Sequence, residues 1–238
     1  LHSQIFITLW SLSEQNLKNK EYIMKIAIDG TAASGKGTLS YHLSKVLRLP
    51  RLDTGLLYRK VAFTYIKSTK LMHEQNTINN SILKDILNDF DFNDLDPDTL
   101  KHDLYGNFAS VIGNLDFVRD RLKIFQIKFV KIMTKKKGGC ILDGRDIGTK
   151  ILPNADFKFY VDAPLKTRAK RRYEQLYSNN KSIEFKNILF DLEKRDFSDK
   201  SRDNSPLILS KNSILLNTEF LNPDQVLKEA LNHIKKSK

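Results

Sequence analysis

The sequence predicts an α/β protein with a central parallel sheet that is covered by helices on both faces. Short β-branched or apolar segments alternate along the chain with segments of helical periodicity, which is the pattern typical of parallel sheets. The clearest case is "KIAIDG", a strand from Lys25 to Gly30 that runs into a glycine-rich turn and then into a helix over residues 38–49. With 238 residues, 40% of them hydrophobic, the chain can bury one core of enzyme size.

Later segments continue the same alternation. The apolar stretches at 138–144 and 155–163 predict two buried strands, and 212–218 predicts a last strand. Helices are predicted over 168–177 and 182–196. A closing helix is predicted after Asn222, which would cap it, with Pro223 at its first position.

The middle of the chain is less regular. After Pro50 we expect a loop and then a second helix. Residues 70–108 are rich in Asp and Asn, and they predict a surface subdomain outside the core. From Ser110 to Lys137 a single long helix is predicted, with an apolar face formed by Val118, Leu122, Phe125, Phe129 and Met133.

The net charge of +12 indicates an anionic partner without identifying it. Nucleic acid, acidic lipid and phosphorylated metabolites all fit a basic protein. The arginines are more informative, because a guanidinium presents a planar fork to phosphate oxygens. Several are grouped at 168–172, and Arg195 and Arg202 lie close together in the sequence.

The single cysteine, Cys140, excludes an intramolecular disulfide framework and favours a reducing cytoplasm. Because it stands in an apolar run, we expect buried strand packing from it and no chemistry. No apolar run approaches the roughly 20 residues of a membrane span, so no membrane partner is expected. Residues 1–23 are interpreted as a non-catalytic extension, with Met24 as a candidate natural start.

A phosphate-binding loop is the strongest single signal. Gly30, Gly35 and Lys36 satisfy the pattern G-x-x-x-x-G-K between a strand and a helix. In such loops glycines let main-chain N–H groups turn inward onto phosphate oxygens, and the lysine bridges the terminal phosphates. The predicted ATP-binding residues are Gly30, Thr31, Ala32, Ala33, Ser34, Gly35, Lys36, Gly37 and Thr38.

The residue after the lysine narrows the class of enzyme. GTPases usually place the metal-binding hydroxyl directly after the lysine, whereas here Gly37 follows and the hydroxyl arrives at Thr38. The form G-K-G-T is typical of nucleoside monophosphate kinases. No N-K-x-D guanine signature is present either, so a GTPase switch is not expected.

Five segments in order carry a family resemblance: "IDGTAASGKGT", "LDTGLLYR", "ILDGRDIGT", "RAKRR" and "KRDFSDKSRDNSPL". From about Lys25 to the C-terminus the chain resembles bacterial cytidylate kinases. The resemblance implies a three-layer P-loop kinase fold, with a central parallel sheet, a small insert for the acceptor nucleotide and a helical lid. It places the kinase domain at 24–238, the insert at about 53–110 and the lid at about 163–203.

The resemblance also implies an acceptor site. Arg59, Arg145 and Arg202 would hold the phosphate of CMP, and Ser110, Arg119 and Asp146 would recognise cytosine, with Asp146 accepting from its amine. Arg195 and Asp199 would lie near the sugar hydroxyls, and Thr54 and Tyr58 would line the same cleft. The spacing of Arg195, Asp199 and Arg202 predicts that all three share one face of a helix.

Catalysis would rest on charge and positioning. The residues expected to act on the transferring group are Lys36, Arg145 and one of the two lid arginines, Arg171 or Arg172. ATP is the expected co-substrate together with Mg²⁺, held through water near Thr38 and Asp143 without a direct protein ligand. Asp143 could equally cap the following turn. No dedicated general base is required for transfer to a phosphate.

The expected reaction is transfer of the γ-phosphoryl group from ATP to CMP and dCMP by a cytoplasmic monomer that binds no nucleic acid. Two alternatives remain open: a kinase for another small acceptor, such as UMP, AMP or dephospho-coenzyme A, and a basic RNA-binding P-loop protein. Residues 70–108 are shorter than in many relatives, and Thr31 stands where the family often has proline. Acceptor affinity and the preference between ribose and deoxyribose could therefore differ.

Overall fold

One five-stranded sheet organises the protein. The computed structural model describes residues 23–69, 78–91, 95–100, 102–178 and 182–236. All neighbouring strands run parallel, in the order β2-β3-β1-β4-β5. The strands are β1 (Met24–Gly30), β2 (Arg51–Asp53), β3 (Gly139–Gly144), β4 (Phe157–Asp162) and β5 (Ile214–Asn217). The predicted parallel α/β sheet is confirmed.

Nine helices are found in the described residues, together with a five-residue π-helical turn, Ile147–Ile151. Asn222 and Gln225 cap the last helix reciprocally through their side chains and main-chain N–H groups, as predicted. The helices are α1 (Lys36–Leu47), α2 (Thr54–Thr69), α3 (Asn80–Asn88), α4 (Pro97–Leu100), α5 (Asp103–Ile112), α6 (Asp116–Lys137), α7 (Leu165–Tyr177), α8 (Phe185–Ser201) and α9 (Pro223–Lys236).

The alternation of side chains along β1 creates a core on each face of the sheet. Ile26 and Ile28 pack in a cluster with residues of α1 and α9. Ala27 packs on the opposite face, in a cluster with residues of α2, α5 and α6. Both faces are therefore covered, as expected for a parallel sheet. Cys140 is fully buried as a free thiol in the second cluster, which confirms its assignment as strand packing.

Three local predictions are corrected. Residues 51–53, expected as a loop, form the edge strand β2, paired with β3 from Arg51 to Asp53. The long helix from Ser110 is two helices, because the chain turns at Gly113 and Asn114, where the N–H groups of Asn114 and Leu115 bond back three residues. Asn114 also donates to Ser198 on α8, so this turn is tied to the neighbouring helix.

The third correction concerns residues 70–108, which contribute to the core after all. Residues 70–77, 92–94 and 101 lie outside the described residues, but α3 packs Leu83 and Leu87 against α2 and α6. Leu83 is 0% exposed. The segment is polar overall but contains the short amphipathic helix α3. The Asn79 side chain caps its N-terminus by accepting from the main-chain N–H groups of Ser81 and Ile82.

Replacing Leu83 with alanine should therefore lower the free energy of unfolding by about 2–5 kcal/mol, because a buried leucine is lost and a cavity remains. Urea unfolding followed by circular dichroism measures the change. The matched control is Leu104→Ala, since Leu104 is 37% exposed and should cost less than about 1 kcal/mol. Equal costs for the two variants would place α3 outside the core.

Candidate active site

The phosphate-binding loop joins β1 to α1 at the carboxyl edge of the sheet. Two of its glycines are required by geometry. A Cβ atom at Gly30 would lie 2.1 Å from the carbonyl oxygen of Val161, and Gly35 has φ 94°, a left-handed conformation at the N-cap of α1. The helix N-terminus therefore faces the loop with its free N–H groups, which is the arrangement that binds phosphate.

Lys36 lies inside this loop. Its Nζ atom donates to the main-chain oxygen of Thr31 at 3.2 Å. Burial, followed by the positive charge of Arg145, lowers the pKa of Lys36 to about 7, although Asp143 opposes the shift. An anionic ligand is the natural way to restore the charged form, because opposite charge favours protonation.

The loop is held by side chains from the ends of β4 and β5. Thr31 donates from Oγ1 to Asp162 Oδ1 at 2.6 Å, and Thr218 donates from Oγ1 to the main-chain oxygen of Ser34 at 3.0 Å. Neither contact was predicted from the sequence. Both contacts tie the loop to the ends of the neighbouring strands.

A cluster of arginines surrounds Asp199. Asp199 accepts from Arg145 Nε at 2.6 Å and from Arg202 Nη1 at 3.3 Å. Burial alone would raise the pKa of Asp199, but Arg145, Arg195 and Arg202 together hold it below its usual range. Two predicted phosphate ligands, Arg145 and Arg202, are thus brought to one point.

The cluster carries more positive charge than Asp199 can neutralise. Burial and the neighbouring Arg145 lower the pKa of Arg195 to about 10. The Arg195 Nε and Arg202 Nη2 atoms are buried without a hydrogen-bond partner in the part of the chain that the structure describes. Arg59 donates to the main-chain oxygens of Leu100 and His102 and also acts electrostatically on Arg195. An oxyanion would satisfy these donors.

One prediction about this cluster needs correction. Arg195 and Asp199 lie on α8, but the helix ends at Ser201, and Arg202 has extended φ and ψ of −67° and 143°. Arg202 is therefore not the third member of a helical face. Its guanidinium returns to Asp199 because its Nε donates to the main-chain oxygen of Ser205 at 2.7 Å.

A polar pocket beside the cluster contains two of the three predicted base-recognition residues, Arg119 and Asp146. Arg119 donates to Asp146 Oδ2 at 2.6 Å and to the main-chain oxygen of Gly113 at 3.0 Å. The guanidinium carbon of Arg119 lies over the Tyr58 ring, 5.8 Å from the ring centroid. These three side chains line a cavity of about 90 Å³, into which Gln126 also projects. The buried Arg119 Nε has no partner among the described residues.

The other two predicted pocket residues are placed differently. Ser110 is half-buried in the last turn of α5 and is not among the residues that line the pocket. Thr54 begins α2, and its hydroxyl donates to the main-chain oxygen of Asp143 at 2.8 Å. That bond ties α2 to the end of β3.

Comparison with known proteins identifies the family. The cytidylate kinase family model matches residues 26–236. A cytidylate kinase of Xanthobacter autotrophicus is 38% identical over 208 residues, which cover 87% of this chain and 95% of that protein. A cytidylate kinase of Bartonella quintana is 40% identical over 205 residues, covering 86% and 91%. The chain belongs to the cytidylate kinase family. It is therefore a nucleoside monophosphate kinase by family, and the resemblance drawn from its motifs is confirmed.

The two arginines predicted to lie in a lid have partners that the sequence did not predict. Arg171 on α7 donates to the hydroxyl and main-chain oxygen of Thr218 and to the main-chain oxygen of Glu219. Arg172 is half-buried and donates to Gln175 at 2.9 Å. Arg171 is thus bound to the residue that supports Ser34 of the phosphate loop. The expected transfer role of either arginine stays a prediction.

The residues near the loop fit a magnesium ion held through water. Asp143 is 2% exposed and accepts from Ser40 at 2.6 Å and Arg51 at 3.0 Å through the same oxygen, Oδ2. Its Oδ1 lies on the side of Gly37. Burial and the neighbouring Asp53 raise its pKa to about 6. No group of three or more His, Cys, Asp or Glu side chains in the described ranges could enclose a metal directly.

Sequence reasoning missed several buried polar residues of the site. Asp29 is 3% exposed and accepts from the N–H groups of Ile147 and Gly148 at 2.8 and 2.7 Å, which fixes the turn after Asp146. Burial raises the pKa of Asp29 to about 6. Its only sequence signal was a carboxylate at the end of a buried strand. Arg168 and Asp196 were also missed as site residues.

Across the described part of the chain, no helix is long and apolar enough to cross a membrane.

Proton uptake at Lys36 provides a direct test of this electrostatic description. At pH 8.5 a lysine with a pKa of about 7 is mostly neutral, whereas Asp143, with a pKa of about 6, is ionised. Nucleotide phosphates favour the ammonium form, so ADP binding should take up close to one proton. Calorimetric titration in two buffers with different ionisation enthalpies measures this number. A Lys36→Met variant should bind ADP without this proton uptake. If the heat of ADP binding to the unchanged enzyme is the same in both buffers, the lowered pKa of Lys36 is contradicted.

Proposed function

We propose that this protein transfers the γ-phosphoryl group of ATP to CMP, giving ADP and CDP, and that dCMP is also an acceptor. Membership of the cytidylate kinase family supports this function. The observation that supports it is the closeness of the phosphate loop to the arginine cluster. The loop around Lys36 lies close enough to the arginine cluster for Arg145 to be the main charge that lowers the pKa of Lys36.

The proposed division of labour follows from this geometry. Main-chain N–H groups of residues 30–38 and the ammonium of Lys36 bind the donor phosphates. Arg59, Arg145 and Arg202 neutralise the acceptor phosphate, whose oxygen attacks the γ-phosphorus while ADP leaves. The protein acts by positioning both anions and stabilising the charge that is shared between them in the transition state.

Acceptor recognition is proposed at the pocket beside the cluster. Asp146 accepts from the amine of cytosine, and Arg119 with Ser110 meets the remaining polar edge. Tyr58 and Thr54 line the cleft, and Arg195 and Asp199 lie at the sugar. The ion pair between Arg119 and Asp146 orients both groups before CMP arrives, so little side-chain ordering remains for binding.

Further features of the proposal extend beyond the family assignment. Thr38 and Asp143 would hold Mg²⁺ through water, and the ion would supply positive charge to the donor phosphates. Arg171 or Arg172 acts on the transferring group within a lid of about 163–203, and the acceptor insert spans about 53–110. We also propose a cytoplasmic monomer that binds no nucleic acid, with residues 1–23 as a non-catalytic extension; residues 1–22 lie outside the described part of the chain.

A panel of acceptors tests the proposal. ADP formation from ATP is followed by a coupled assay with CMP, dCMP, UMP, AMP and dephospho-coenzyme A. We expect the highest kcat/KM with CMP and a comparable value with dCMP. The proposal is refuted if CMP supports no more ADP formation than a reaction without acceptor. A gel shift with single-stranded RNA at low and high salt tests the alternative of an RNA-binding protein. Tight, salt-dependent RNA binding without CMP activity would favour that alternative.

A further inference from the structure

A buried ion pair on the two lid helices grips one residue of the phosphate loop. Arg168 on α7 and Asp196 on α8 are 4% and 8% exposed, and Arg168 Nη2 lies 2.6 Å from Asp196 Oδ2. Arg168 Nη1 donates to the main-chain oxygen of Ala32 at 3.0 Å. The N–H of Ala32 donates to Asp196 Oδ1 at 3.4 Å. Both polar groups of Ala32 are therefore bound by the same pair.

The side chain of Ala32 is enclosed by the same two helices. It is 3% exposed and packs with Ala169 of α7 and with Ile188 and Leu192 of α8. The third guanidinium nitrogen, Arg168 Nε, donates to the main-chain oxygen of Ala163 at 2.7 Å. The loop is consequently attached to the base of the helix pair through main chain and side chain together.

The next loop residue explains why such an attachment is needed. Ala33 has φ 59°, a left-handed conformation that residues with a Cβ rarely adopt. A backbone of this kind persists only where its surroundings hold it. The Arg168 and Asp196 contacts restrain this backbone at Ala32, and Thr218 restrains it from the other side at Ser34.

Asp196 also stands between two residues of the acceptor side. Arg195 precedes it on α8, and Asp199, which binds Arg145 and Arg202, follows it by less than one turn. Since a helix moves as a rigid element, a displacement of the loop at Ala32 would be passed through Asp196 to Arg195 and Asp199. The donor and acceptor sites share a mechanical connection that involves no nucleotide.

We propose that Arg168 and Asp196 are positioning residues that couple the phosphate loop to the acceptor arginine cluster, so that donor and acceptor bind cooperatively. Nucleotide phosphates settle the loop around Ala32 and Ala33, and the ion pair fixes α8 in the position where Arg195 and Asp199 meet the acceptor. This inference rests on the proposed function, because it needs both nucleotides to bind.

Calorimetric titration tests the coupling directly. The Kd for CMP is measured alone and with a saturating non-hydrolysable ATP analogue and Mg²⁺. In the unchanged enzyme we expect CMP to bind about 5- to 50-fold more tightly with the analogue, and linkage requires the analogue to gain the same factor from CMP. Asp196→Asn should bring the factor to within about twofold of one while leaving the Kd for CMP alone nearly unchanged.

Two further variants separate coupling from damage to the fold. Asp191→Asn removes an exposed carboxylate from the same helix and should retain the full factor. Arg168→Lys retains one charge but cannot reach Ala32, Ala163 and Asp196 together, so it should reduce the factor even if Asp196→Asn fails to fold. A structural role alone would lower the melting temperature and the binding stoichiometry without changing the ratio of the two Kd values.

Each outcome decides something different. Independent binding of CMP and the analogue in the unchanged enzyme overturns the coupling but leaves the proposed function intact. An unchanged factor in folded Asp196→Asn or Arg168→Lys removes these residues from the connection. Failure of CMP to bind under any condition contradicts the proposed function itself.

Discussion

Replacing Lys36 with methionine should lower kcat by about 10³-fold, the cost of removing one preorganised group that stabilises transition-state charge. Lys36 is the side-chain cation of the phosphate loop, and its Nζ atom is held there by Thr31. Methionine has similar length, so the loop keeps its packing while the charge is lost. Because Lys36 lies on the donor side, the Kd for CMP measured alone should change by less than about threefold.

The same variant should not destabilise the empty enzyme. A lysine whose folded pKa is lowered from 10.5 to about 7 binds fewer protons when folded than when unfolded between those pH values. Stability from this group therefore rises as pH increases from about 7 towards 10.5 and is reduced below pH 7. Methionine removes that penalty, so thermal unfolding at pH 6 should occur at an equal or higher temperature than in the unchanged protein.

Lys45→Met provides the matched control for these two measurements. Lys45 lies on the same helix, α1, and its side chain is exposed near Tyr41. Its loss should leave kcat within about twofold. Steady-state assays with ATP and CMP compare the variants, and a Lys36→Met enzyme with more than about one tenth of the original kcat would show that Lys36 is not required for transfer.

Replacing Asp146 with asparagine should change which acceptor the enzyme prefers. The Asp146 carboxylate is mostly buried and bound to Arg119 at 2.6 Å. Asparagine keeps the shape but lacks the charge, and its amide can donate to a ring carbonyl where the carboxylate could only accept. We expect kcat/KM for CMP to fall about 10²- to 10³-fold and the ratio of CMP to UMP activity to fall at least about 10-fold.

The ratio distinguishes recognition from general damage. Loss of the Arg119 ion pair could lower activity with every acceptor, whereas only a base-contacting residue changes the discrimination between cytosine and uracil. Assays with both acceptors on Asp146→Asn, and on the exposed control Asp191→Asn, measure this directly. A uniform fall with CMP and UMP would assign Asp146 to the support of Arg119 and not to the base.

Residues that act through local sequence patterns could be predicted without a structure. The phosphate loop carries its own glycine spacing between a strand and a helix, and the strands β1, β3, β4 and β5 carry buried apolar runs. The cap at Asn222 could be predicted because its partners lie within one turn of the chain. Each of these features is determined by neighbours in the sequence, and the structure confirms the strand–loop–helix arrangement, the four strands and the cap.

Features that depend on tertiary contacts were missed. β2 has one apolar residue, Leu52, and exists because β3 offers it a pairing edge. The break at Gly113 follows from backbone bonding and from the contact with Ser198. Arg168 belongs to the arginine group at 168–172, yet its burial against Ala32 and Asp196 has no local sequence pattern. Buried charge pairs join distant segments, so spacing along the chain cannot reveal them.

The bond between Thr218 and Ser34 bears on how the chain is made. These residues are 184 positions apart, so the nucleotide-binding loop, although synthesised early, stays without one of its supports until the final strand has left the ribosome and docked beside β4. A nascent or truncated chain that ends before β5 therefore carries the complete glycine motif without its finished conformation. The support that Thr218 gives to the loop therefore forms only after β5 has paired with β4.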